Sequence, residues 1–260
     1  MPKFDANIQF MFNEYDVLDR YDAAARAGFK GVELQSPYGI PIDQIVDRLQ
    51  RNSLAQVLIN LPGDDPDTGL KNIAINPARK DLFKECVDQG LKYAKGLGVL
   101  VVNSGVGPAI DGVSHEEHWD TYVRNIQYAA PLFAQIGTRL LIEPINTRDQ
   151  PGFFIHNTEQ GMAVVRDVGD DNFGLQYDAY HMQIMEGDLA PTIEANLAAI
   201  GHIQIADTPG RHEPGTGEIN YPFLFDHLDR IGYKGWVGAE YNPAGNTEDG
   251  LGWVKPYLAA

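Results

Sequence analysis

The chain is poor in several features that would direct it elsewhere. Among 260 residues there is a single cysteine, Cys86, so no internal disulfide can form, which fits a reducing compartment. In its helix-like setting Cys86 reads as a small buried hydrophobe. Lys and Arg are scarce, 20 against 36 Asp and Glu, for a net charge of −16. Phosphate recognition needs clustered cations, so nucleic acid and anionic membrane surfaces are excluded as partners. No apolar run reaches the roughly 18 residues that span a bilayer. The chain opens on a strand-like run, FDANIQFMF, without a signal-peptide pattern, and a cytoplasmic location is expected. There is no low-complexity tract or linker, so residues 1–260 are expected to form one domain. There is no early glycine-rich phosphate loop, which argues against an open dinucleotide-binding sheet and a nucleotide cofactor.

What is present is alternation. Short apolar runs occur at 7–12, 31–35, 55–61, 99–104, 139–146, 174–178, 202–206 and 236–241. Most lack two-residue alternation, as suits parallel strands covered on both faces. Helix-like stretches lie between them at 16–27, 42–52, 77–97, 115–136, 158–168, 189–200, 222–231 and 250–257. Gly28, Gly98, Gly137, Gly201 and Gly232 read as helix stops. Pro77 and Pro222 fit first turns, and Pro131 is expected to kink or break its helix. Eight strands alternating with eight helices predict a single α/β domain, a closed (β/α)8 TIM barrel, with its site at the C-terminal ends of the strands.

Four consecutive strand-like runs end in an oxygen donor: Glu143 in RLLIEPIN, Asp178 in FGLQYDAYH, Gln204 in HIQIAD and Glu240 in GWVGAEYNP. A carboxylate at the tail of an apolar run is costly to bury unless paired or bound to a cation. Four such donors describe a cage for a hard divalent metal such as Mg²⁺ or Mn²⁺. Carboxylates flanking a substrate can also move a proton next to a carbonyl while the metal holds the enolate charge. Pro144 favours extended backbone at Glu143. Around this set, His181 suits a substrate oxygen or a ligand to be oriented. Arg211, in the loop PGRHEPGTGE, suits a substrate carboxylate or hydroxyl; His212 beside it is a weaker candidate. Glu33, ending VELQSP, either closes the site from the far side or caps a neighbouring loop. Phe10, Asn13 and Tyr15 are candidate wall residues. Glu116, Glu117 and Asp120 read as a solvated helix face.

The segments EPINTRDQPGFF, LQYDAYHMQIMEGDL, GHIQIADTPGRHEPGTGEINYPFLF and GWVGAEYNP resemble the hydroxypyruvate isomerase family, within the xylose-isomerase-like barrels. The first half resembles it more loosely, through AAARAGFKGVELQSPYG and INLPGDD. The resemblance implies a barrel that interconverts a 2-oxo acid and its aldehyde tautomer through an enediol, here hydroxypyruvate and tartronate semialdehyde. It implies Glu143, Asp178, Gln204 and Glu240 as metal ligands, with Glu143 and Glu240 also shuttling the proton. It further implies a small-molecule 2-oxo acid or sugar-acid substrate and a dimer or tetramer, to which the C-terminal WVKPYLAA could contribute a contact. Within the same superfamily, 2-oxo-tetronate isomerases and ketose 3-epimerases would use the same set. A non-catalytic sugar-binding barrel is the reading outside enzymes. DNA repair by a related barrel would need a histidine-rich multi-zinc cluster, and the chain has seven histidines in all. One loop departs from the family: after the third strand the chain reads DTGLKNIAINP, with Lys71 near where relatives carry a Gly-Glu-Arg-Gly type sequence. Lys71 is therefore a candidate substrate residue.

Overall fold

The computed structural model describes residues 1–258. Eight parallel strands close into a barrel in chain order: β1 (Lys3–Asn7), β2 (Gly31–Glu33), β3 (Ala55–Asn60), β4 (Val101–Asn103), β5 (Arg139–Ile142), β6 (Phe173–Asp178), β7 (Ile200–Ile205) and β8 (Trp236–Ala239). The connections carry α1 (Asp19–Arg26), α2 (Ile42–Asn52), α3 (Lys80–Leu97), α4 (His115–Ala134), α5 (Thr158–Val168), α6 (Ala179–Met185), α7 (Leu189–Asn196) and α8 (Tyr221–Arg230); α9 (Lys255–Leu258) follows the last strand. This is the single (β/α)8 barrel the alternation predicts. Strand side chains such as Ala6, Ile59, Val102, Ile142, Leu175 and Val237 share one apolar core with helix side chains such as Tyr21, Ile45, Val87, Ile126, Val164 and Leu224. Each buried aliphatic of this kind contributes about 1.5–3 kcal/mol.

The register aligns the strand tails. Asn7 pairs with Glu33, Asn60 with Asn103, and Asp178 with Gln204. Polar side chains from adjacent strands therefore meet at one rim, as the barrel architecture requires of a site.

Several expected boundaries move. The first strand ends at Asn7, where the run 7–12 was expected to begin one, because Asn7 accepts the amides of Phe10 and Met11 and turns the chain. The stretch 77–97 opens as a 3-10 turn before α3. Pro131 does not break α4, which runs to Ala134; it sits in the last turn, where few following bonds are disturbed. Gly201 is no helix stop but lies inside β7, where a Cβ would meet Leu141 at 2.7 Å. Helix α6 was not expected. The C-terminal aromatics Trp253 and Tyr257 are half-buried and pack on Phe4 and Phe225 of their own barrel; Ala259 and Ala260 of that segment lie outside the described residues.

Candidate active site

Glu143 follows β5, Asp178 ends β6, Gln204 lies in β7 and Glu240 follows β8. All four are buried, between 0% and 5% exposed. Oxygen atoms of Glu143, Asp178 and Glu240, with a ring nitrogen of His181, all lie within 4.8 Å of one another. Ligands at roughly 2.0–2.6 Å from one hard cation would have this spacing.

Each carboxylate is held from one side. Asp178 caps α6: its Oδ1 accepts the Tyr180 amide at 2.8 Å, while its buried Oδ2 has no hydrogen-bond partner. Glu143 Oε2 accepts from Asn103 Nδ2 at 2.7 Å. Glu240 accepts from Asn7 Nδ2 at 3.1 Å, from Gln35, and from Arg211 Nη2 at 2.7 Å. Gln204 is suspended between Gln176, which donates to its Oε1 at 2.5 Å, and Glu33, which accepts from its Nε2 at 2.7 Å. If all three carboxylates were ionised, one guanidinium would face them and two negative charges would be in excess at a buried point. Together with the orphaned Asp178 Oδ2, this donor set fits a divalent cation.

The electrostatics follow from that imbalance. Burial, reinforced by the charge of Asp178, pushes the Glu143 carboxyl up to about 8, with Arg211 acting the other way. Burial also drives Glu240 well above the carboxylate range, again opposed by Arg211 and reinforced by Glu143 and Asp178. Burial lowers His181 to about 4, so its ring is neutral near pH 7. Burial works against the charge on Arg211, yet Glu240, Asp178 and Glu143 hold its pKa above the usual value.

Glu143 and Glu240 line a cavity of about 470 Å³, whereas Asp178 and Gln204 are not among its lining residues. His181, Arg211 and Lys71 all line it. Arg211 stacks between the rings of Phe10 and Tyr180, 5.0 and 5.2 Å away, and occupies a left-handed conformation with φ of 56°. Such strain in a non-glycine residue is typically stored at functional sites. Lys71 is exposed, with its carbonyl packed beside Gly107, and has no carboxylate within 4.0 Å among the described residues. Glu33 was expected to close the site from the far side or to cap a neighbouring loop; it is 0% exposed, outside the cavity lining, and bonded to Asn7, Gln204 and His202. The small Gly238 admits it there, since a Cβ would fall 1.9 Å from Glu33 Oε1. Phe10 is a wall residue, whereas Asn13 bonds the Phe10 carbonyl and Tyr15 bonds Glu248. His212 bonds the Asn242 carbonyl. Sequence reasoning missed Asn7, Asn60 and Asn103. The signal was present, since β1, β3 and β4 each end in asparagine, just as an acid or an amide lies at or beside the end of each of β5 to β8.

A closed parallel barrel with a buried acidic cluster at its C-terminal rim defines an enzyme of the TIM-barrel class. The chain belongs to the xylose isomerase-like TIM barrel family, whose model matches residues 21–257. It is 44% identical over 260 residues to a 2-oxo-tetronate isomerase from Cupriavidus necator, covering 99% of both chains. It is 45% identical to the hydroxypyruvate isomerase of Escherichia coli, covering 99% of this chain and 100% of that one. The crystal structure of an AP endonuclease, family 2, from Brucella melitensis superposes with a TM-score of 0.96 at 43% identity, covering 99% of both chains. The chain is an isomerase of this family.

Proposed function

We propose that the chain is a metal-dependent intramolecular isomerase that interconverts hydroxypyruvate and tartronate semialdehyde, working as one domain in the cytoplasm. The observation that carries this reading is the convergence of Glu143, Asp178 and Glu240 within 4.8 Å, two of them, Glu143 and Glu240, lining a cavity that also bears the exposed cation Lys71. Glu143, Asp178, Gln204 and Glu240 would hold the ion, Mg²⁺ or Mn²⁺ by donor type. A divalent ion there supplies Lewis-acid stabilisation of the enediol oxygens.

The remaining work falls to the chain. Glu143 and Glu240 would flank the reacting carbons; one carboxylate removes the C3 proton and a carboxyl returns a proton to C2, while the C3 hydroxyl proton passes to the C2 oxygen so that carbonyl and hydroxyl exchange places. Asn103, on Glu143, and Asn7, on Glu240, keep both acids aimed. Arg211 and His181 hydrogen-bond the substrate oxygens near these acids. Lys71, in the lining of the same cavity, neutralises the substrate carboxylate, a need that a neutral ketose would not have. A four-carbon 2-oxo-tetronate is the second reading, favoured by 44% identity over 260 residues to a 2-oxo-tetronate isomerase. Metal-stripped protein reloaded with Mn²⁺ and offered each acid in turn tests this. The higher kcat/KM identifies the substrate, and turnover of neither acid contradicts the proposal.

A further inference from the structure

His181 stands in the first turn of α6, and its two ring nitrogens face different surroundings. Nε2 points to the acids, 3.5 Å from Asp178 Oδ2 and 3.8 Å from Glu143 Oε1. Nδ1 points to Asn146, which is 0% exposed in the loop after β5. It lies 2.6 Å from Asn146 Nδ2 and 3.4 Å from the Asn146 backbone nitrogen.

The orientation of the Asn146 amide is determined by its other partners. Its Oδ1 accepts the backbone N–H of Asp149 at 2.8 Å. Its Nδ2 donates to Asp149 Oδ2 at 3.1 Å. Turning the amide over would set nitrogen against an N–H and oxygen against a carboxylate, so the amino group must face His181. Two N–H donors then converge on His181 Nδ1, which must carry a lone pair. The ring proton is left on Nε2.

We infer that Asn146 is a positioning residue that fixes His181 as the Nε2–H tautomer, so that the ring donates a hydrogen bond into the site and does not ligate the ion. Although Nε2 sits among the metal-ligand candidates, a nitrogen bearing a proton has no lone pair for a cation. What it can do is donate to the substrate oxygen that gains charge as the C3 proton leaves. A neutral donor suits this, because it stabilises the charge without surrendering its proton. This extends the proposed isomerase reading, on which the substrate contact rests, but the tautomer itself can be read without any substrate.

The test is long-range ¹H–¹⁵N correlation NMR of ¹⁵N-histidine-labelled protein, metal-free and with Mg²⁺, with His181 assigned by its absence in His181→Gln. The expected pattern has a protonated Nε2 and an unprotonated Nδ1 in both samples. A protonated Nδ1, or loss of the Nε2 proton on adding Mg²⁺, overturns the inference. Asn146→Asp, made together with Asp149→Asn so that two carboxylates do not meet, keeps the shape but replaces the donor with an acceptor, so the proton should move to Nδ1. With it kcat should fall about 10²–10³-fold, the loss seen when one such donor is removed, while KM changes less. A doubly substituted protein that retains the Nε2 proton, or that moves it with kcat unchanged, also overturns it. If the wild type turned over no 2-oxo acid, the isomerase reading would fall while the NMR result still decided the tautomer.

Discussion

At the residue scale the site is an unbalanced set of charges, and its properties follow from that imbalance. Glu143→Gln and Glu240→Gln each remove a proton carrier, and kcat on hydroxypyruvate should fall about 10²–10⁴-fold in steady-state assays with saturating Mn²⁺. Lys71→Ala should act on binding instead. Losing a charge-assisted hydrogen bond costs about 1.5–3 kcal/mol, so KM should rise roughly 10–100-fold with kcat nearly unchanged. Equal losses in both parameters would move Lys71 into the chemistry. The raised Glu143 carboxyl gives a pH signature in metal-free protein. Between its ordinary value of 4.5 and about 8 the folded state binds a proton that the unfolded state has lost. Stability must therefore fall as pH rises through that window. Glu143 alone contributes a slope of about 1.4 kcal/mol per pH unit, with roughly 2–4 °C of Tm for each kcal/mol, and the raised Glu240 acts in the same direction. Mn²⁺ should reverse the loss, and should raise Tm more at pH 8 than at pH 5.5. A metal-free Tm that climbs over this range would contradict the charge distribution described here.

At the element scale, the strands are legible in sequence because each is an apolar run with a polar tail, and the tails define the rim. Asp178 illustrates what was less legible. Its carboxylate was expected as a ligand, yet one oxygen also caps α6, so the residue that ends β6 begins the next helix. The run AYHMQIM that follows reads equally as strand or helix by its apolar content, and only the cap decides it. Glu33 shows the opposite limit. Whether a strand-end acid faces the cavity or lies beneath it depends on the neighbour's size, and Gly238 sits on another strand more than 200 positions away. The loop bearing Lys71 is held by a contact of the same kind. Gly107 has φ of +89°, and a Cβ there would lie 1.9 Å from the Lys71 carbonyl oxygen. Gly107→Ala should therefore lower stability by about 1–3 kcal/mol, measured by urea unfolding. It should also raise KM by displacing Lys71. A substitution without effect on either would mean that this loop does not form the wall.

At the scale of the whole molecule, charge separates the possible chemistries. With a net charge of −16 the chain repels polyphosphate. It should neither bind nor nick an abasic-site DNA duplex at micromolar protein and about 0.1 M salt, although the Brucella melitensis structure it resembles bears an endonuclease name. Retention of such a duplex in a gel-shift assay would reopen that reading. No helix among the described residues is long and apolar enough to cross a membrane. The barrel instead gathers polar side chains from all eight strand ends: amides and the buried Glu33 on the first four, acids and Gln204 on the last four. The most direct test of the central claim follows hydroxypyruvate by proton NMR in D₂O, with metal-stripped protein before and after adding Mn²⁺. Tartronate semialdehyde should appear only with the metal, and should be abolished in Glu240→Gln. Turnover by the stripped protein, or an undiminished rate in Glu240→Gln, would contradict the account.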